Sequence, residues 1–214
     1  MLITINGERL DETVRTDSMQ AMLDDVAAFV PHGEIIVAVD VDGARISELE
    51  LPARLERPVA DRCQVDLVSA SRERVVADAL LALAEDLDET SDEQKLAADQ
   101  LDSGQMAAAF LRIGQFVKSW KTCKDAISQS SALLGRDLTS VIYNDKPVAD
   151  YLRSLCEKLE AIRAALASED TVALADVLHF DVPEECATWC GLLRWLAGEL
   201  LASADSNSPA SEIA

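Results

Sequence analysis

Histidine is nearly absent from this chain: two are found in 214 residues. A Ser or Cys nucleophile needs a base beside it. The two imidazoles available are His32, in the segment Pro-His-Gly-Glu, and His179, four residues before Pro183. No G-x-S-x-G elbow accompanies either of them. Glycine is equally scarce at eight residues, and none of these compose a G-x-x-x-x-G-K-[ST] or G-x-G-x-x-G phosphate cradle. The acidic run EDLDETSDEQKLAAD fails as a Ca²⁺ loop. Counted from Asp86, it has Ser91 where the tight turn needs Gly and Ala97 where the bidentate Glu belongs. The expectation is a protein with no catalytic residues and no cofactor, not an enzyme.

Positive charge is also in deficit, with 19 Lys and Arg against 39 Asp and Glu. The imbalance runs through both halves, six against fourteen in residues 1–70 and thirteen against twenty-three in residues 71–200. A surface of this sign repels phosphate and anionic lipid, so neither nucleic acid nor membrane is an expected partner. The apolar start is cut off at Asn6-Gly7 and no stretch reaches the length of a membrane span, so a cytoplasmic protein is expected. The five cysteines are odd in number and scattered among apolar stripes. Reduced thiols acting as small core residues account for them better than disulfides do.

What is present is a change of period. Residues 1–69 alternate as strands do: LITI, a two-residue Asn6-Gly7 hairpin turn, then a second strand over residues 8–15. Asp17 or Ser18 is placed to cap a helix with Met19, Met22, Leu23, Val26 and Val30 on one side. EIIVAVDV, the turn Asp42-Gly43, and QVDLV after a Pro-containing loop supply further strands. The order strand, strand, helix, strand, strand is similar to that of the β-grasp, or ubiquitin-like, fold.

From Arg72 the spacing becomes three and four, beginning with Val76, Leu80, Leu83 and Leu87. Ser91 and Gln94 have capping-box spacing, which predicts a break and a second, short helix to Leu101. The turn Asp102-Ser103-Gly104 follows. A long helix carries Met106, Phe110, Ile113, Val117, Trp120 and Ile127 as its seam, and another carries Val148, Leu152, Leu155, Leu159, Ile162 and Leu166. The next helix is expected to run to Phe180, with Asp181 and Pro183 marking a cap and a restart or kink, and Cys186, Trp189, Leu193, Leu196 and Leu200 carry the seam on.

These patterns predict an α+β protein: a β-grasp-like domain over residues 1–70, an antiparallel helical bundle over residues 71–203, and a disordered tail over residues 204–214. Phe116, Leu192 and Trp195 fall off the assigned seams. They are therefore the predicted partner-binding strip, unless the N-terminal domain docks there. The competing thiol- or metal-linked sensor would use His179, Cys186 and Cys190, with Cys156 as a fourth zinc ligand. Core packing is the preferred reading of those cysteines, and no metal is expected.

Residues 92–200 resemble the flagellar export chaperones, helical bundles that wrap around the disordered C-terminal segment of flagellin. The stretches LAADQLDSGQMAAAFLRIGQFVKSW, residues 151–166 and SEDTVALADVLHFDVPEECATW carry the resemblance. Asp170, Leu174, Ala175, Asp176 and Trp189 match the family's late acidic-to-Trp element. The chain departs from the family in having an alternating N-terminal region instead of a flexible first segment, and in Pro183. The resemblance implies grooves that hold a protein or peptide partner, a flagellar-type component among them.

Overall fold

The computed structural model describes residues 1–60 and 62–207, and the side chains of Ser206 and Asn207 fall outside that description. The protein is mixed α+β, a five-stranded N-terminal sheet followed by helices. The chain divides into two compact units, Met1–Val75 and Val76–Ala214.

In the first unit, β1 (Leu2–Ile5) and β2 (Glu8–Leu10) form the hairpin. Asn6 at φ 51° and Gly7 at φ 83° supply the two left-handed residues that a type I′ turn needs. Helix α1 (Met19–Val26) follows, and the Ser18 hydroxyl accepts the Ala21 N–H at 3.1 Å as its cap. Strand β3 (Glu34–Val41) turns through Asp42 and Gly43 into β4 (Ala44–Arg45). A short α2 (Leu51–Leu55) leads to β5 (Gln64–Ser71). The sheet order is β2-β1-β5-β3-β4, with β1 and β5 parallel and the other pairs antiparallel.

Met19, Met22 and Val26 of α1 pack with Ile3, Val39, Val65 and Leu67 of the sheet. The second strand ends at Leu10 rather than running to residue 15. Arg15 instead donates its backbone N–H to Asp25 at 2.9 Å and pairs with it through its guanidinium at 2.6 Å.

The second unit is built on α3 (Arg72–Asp102), α4 (Met106–Leu134), α5 (Val148–Ala167), α6 (Thr171–Asp176) and α7 (Val182–Asn207). No break occurs at Ser91. A capping box acts only where the chain leaves the helix, and here Leu87, Gln94, Ala97, Ala98 and Leu101 keep one continuous face buried through that point. Between α6 and α7 the helix does not stop at Asp181 either. A π-helical turn, Val177–Asp181, carries the chain straight into α7, where Pro183 is the second residue. Asp181 pairs with Lys158 at 3.0 Å instead of capping. Residues 204–207 continue α7, against the expected tail, and residues 208–214 lie outside the described residues.

A second hairpin, β6 (Ile142–Tyr143) and β7 (Lys146–Pro147), sits between α4 and α5. The sequence reading missed it, although Asn144 and Asp145, at φ 46° and 63°, are the residue types an I′ turn selects. Trp120 and Trp189 meet edge to face in the core with ring centroids 6.2 Å apart. Ala84 and Leu87 of α3 meet Cys190 and Cys186 of α7, and Asp102 at the end of α3 meets His179 in the π-helical turn before α7, so these two segments pass in opposite directions. Among the described residues no helix is long and apolar enough to cross a membrane.

Candidate functional site

The stripe that α4 buries is Ala109, Ile113, Phe116, Trp120, Cys123, Ile127 and Ser130. It shares Ile113, Trp120 and Ile127 with the seam read from the sequence, but is turned by one position elsewhere. Phe116 is therefore fully buried, and Phe110 is 45% exposed. Leu192 is also fully buried, because α7 uses a wide face within its own unit: Cys186 and Cys190 against α3, Trp189 against α4 and Gly191 against Tyr143. Trp195 is half-buried, its ring 5.2 Å from that of Tyr143. The expected strip of Phe116, Leu192 and Trp195 is corrected on this geometry: two members are core and the third is occupied by an aromatic neighbour from the small hairpin.

The rotation of α4 brings a different surface into view. Met106 and Phe110, one turn apart at the start of α4, face Ala165 and Leu166 at the end of α5 and Leu174 of α6 across a groove of about 420 Å³. Leu166 is 37% exposed, whereas Leu174 at 1% forms part of the packed core. Glu169, Asp170 and Thr171 complete the lining. The sequence reading placed Met106, Phe110 and Leu166 on seams, so their availability was hidden by the same one-position ambiguity that misplaced Phe116.

The acidic edge is formed by the way α5 stops. Asp170 N–H donates to the Ala165 carbonyl at 3.0 Å and Glu169 N–H to that of Leu166 at 3.3 Å, a Schellman closure with Glu169 at φ 55°. The Asp170 carboxylate then accepts the Ala173 N–H at 3.0 Å and caps α6. No ion pair to Glu169 or Asp170 occurs among the described residues. The cations next in sequence to the groove residues are engaged elsewhere, Arg163 of α5 with Glu160 and Arg112 of α4 with Glu93.

The candidate sensor residues are not assembled into a ligand set. His179 Nε2 lies 3.1 Å from Asp102, and His32 is exposed in the turn before β3. The thiol of Cys186 donates toward the Leu87 carbonyl at 3.6 Å and that of Cys190 toward the Ala84 carbonyl at 3.5 Å, while Cys156 is exposed. Burial pushes the Cys123 and Cys190 thiols up to about 12, and raises Cys186 as well. Among the described residues no group of three or more His, Cys, Asp or Glu side chains is placed to hold a metal ion. A second hollow, near Lys158 and Glu185, is polar and internally paired. Ser154 and the Trp189 indole donate to the Glu185 carboxylate at 2.9 and 3.1 Å.

Comparison of the chain with protein-family models, with curated proteins and with solved structures finds no match.

Proposed function

We propose that this protein is a non-catalytic adaptor or chaperone-like protein of the cytoplasm, whose helical part holds a segment of a partner polypeptide. The observation that carries the reading is the groove between the start of α4 and the end of α5, where Phe110 and Leu166 remain exposed beside a packed core. An apolar cleft between helices is the form that receives a partner's amphipathic segment. The opposed directions of α3 and α7 support reading residues 71–203 as an antiparallel bundle. The order β2-β1-β5-β3-β4, with its parallel β1 and β5, supports reading residues 1–70 as β-grasp-like. A flagellar-type component is the partner that the sequence resemblance implies.

The experiment is affinity capture from the native cell extract with the intact protein and with a Phe110→Asp, Leu166→Asp variant of unchanged melting temperature. A polypeptide retained by the first and lost by the second supports the groove. Equal retention by both removes it. Absence of flagellin and other flagellar components from the retained set removes the flagellar part of the proposal and leaves the adaptor reading standing.

A further inference from the structure

We infer that the occupant of this groove is an amphipathic helix with an apolar face and a basic flank, an inference that rests on the adaptor reading above. The apolar requirement comes from Met106, Phe110 and Leu166 over the buried Leu174, four residues with no hydrogen-bonding side chain. Charge supplies the second requirement. Glu169 and Asp170 are the only ionisable groups lining the groove, both are acidic, and no cation pairs with them among the described residues.

The net charge of the chain segment that carries the groove has the same sign, residues 76–214 holding 11 Lys and Arg against 24 Asp and Glu. An acidic segment entering here would bring like charges together in a partly desolvated place. A basic flank finds an unneutralised carboxylate at the rim, and rim charges of this kind set partner choice and encounter rate. Anionic lipid is disfavoured by the same field. The spacing fits a helical occupant: Met106 and Phe110 form one wall at i and i+4, and Leu166 forms the other, the arrangement that accepts anchors on successive turns.

The test uses the full chain and two labelled synthetic helices of roughly five turns each, identical on a Leu-rich face and carrying either Lys or Glu on the other. Fluorescence anisotropy should show the Lys-faced helix binding at least about tenfold tighter at low salt, with the gap closing as ionic strength rises. Phe110→Ala should weaken the Lys-faced helix further. Glu169→Lys should weaken it about fivefold, the size of a rim ion pair. Glu157→Lys makes the same change of net charge at an exposed position of α5 outside the groove, and should change binding less than about twofold. Glu169→Gly removes the carboxylate while suiting the left-handed turn, so it separates a charge effect from a folding defect.

If both helices bind equally and Phe110→Ala weakens both, the groove stands and the basic-flank inference is wrong. Equal loss from Glu169→Lys and Glu157→Lys assigns the attraction to overall charge and also overturns it. If Phe110→Ala changes nothing, the groove reading itself fails.

Discussion

The Tyr143 hydroxyl oxygen stands 2.8 Å from where a Cβ on Gly191 would sit, so the β6–β7 hairpin lies on α7 at a position where that helix has no side chain. The tyrosine is held there by its neighbours. Its ring is 5.2 Å from Trp195 and 5.7 Å from Tyr151, and the Tyr151 hydroxyl donates to the Tyr143 carbonyl at 2.9 Å. A hairpin of two-residue strands has little stability by itself. Its aromatic anchor, rather than its backbone pairing, keeps it in place, and this contact also covers the face of Trp195 that the sequence left open.

Gly191→Ala should destabilise the helical unit by about 1–2 kcal/mol, because the new methyl must displace a pinned ring. In a Tyr143→Phe background the nearest ring carbon is 4.0 Å from the Cβ position. There the same substitution should stabilise by up to about 1 kcal/mol, the ordinary gain of Ala over Gly inside a helix. Denaturant titration of the four proteins measures both signs, and a loss of equal size in the two backgrounds would falsify the contact.

Phe116→Ala should cost about 3–5 kcal/mol and Leu192→Ala about 2–5 kcal/mol, as core truncations do. Trp195→Ala should cost less, about 1–2 kcal/mol, since the ring is only half-buried and loses mainly its aromatic pair. All three tryptophans lie in residues 76–214. Far-UV circular dichroism therefore serves for every variant, and tryptophan fluorescence adds a reading specific to the helical unit. Near-neutral Phe116→Ala would return that side chain to the surface and restore the strip expected from sequence.

Thiol reactivity should be confined to one site. Cys156 is exposed, whereas Cys63, Cys123, Cys186 and Cys190 are buried, with burial raising the thiol pKa of each of the four. Titration with a chromogenic disulfide at mildly alkaline pH should release one equivalent promptly and the other four only on unfolding. Prompt reaction of Cys186 or Cys190 would revive a thiol-sensing role.

The Arg15 guanidinium and backbone N–H hold the Asp25 carboxyl well below its usual range, at about 2. A depressed folded-state value adds stability above the unfolded carboxyl range and loses it as pH falls through the folded one. The N-terminal unit should therefore weaken between about pH 4 and pH 2, and Asp25→Asn should flatten that part of the curve. Chemical shifts of the β-sheet amides followed against pH report the unit directly. An unchanged acid limb in the variant would assign the transition to other carboxylates.

Three helices in the second unit end on a left-handed residue: Gly104 after α3, Gly135 after α4 and Glu169 after α5. Only the last carries a Cβ in a conformation that favours glycine. Glu169→Gly should raise stability by about 0.5–1 kcal/mol while removing the free carboxylate of the groove. Loss of stability in that variant would mean that the side chain supports the fold.

The architecture was legible where local physics acts alone. Asn6-Gly7 and Asp42-Gly43 accept left-handed backbone, Ser18 caps a helix, and the change from period two to three and four falls where β5 ends at Ser71 and α3 begins at Arg72. The candidate site was not legible in the same way. On α4 the sets 106-110-113-117-120 and 109-113-116-120-123 are both helical stripes and share two members. Periodicity cannot choose between stripes one position apart, and the choice decides whether Phe110 or Phe116 faces outward. The Trp120–Trp189 contact is common to both stripes. The second is the one the packed unit buries, because Ala109, Phe116 and Cys123, which belong to it alone, are fully enclosed while Phe110 of the first stripe is 45% exposed. The sequence by itself determined the main elements and their order, though not the small β6–β7 hairpin or the continuity of α3 through Ser91, and the net acidic charge of both halves of the chain. Which apolar side chains are left over was decided by tertiary structure alone, because burial depends on what stands opposite a helix and not on the helix's own pattern.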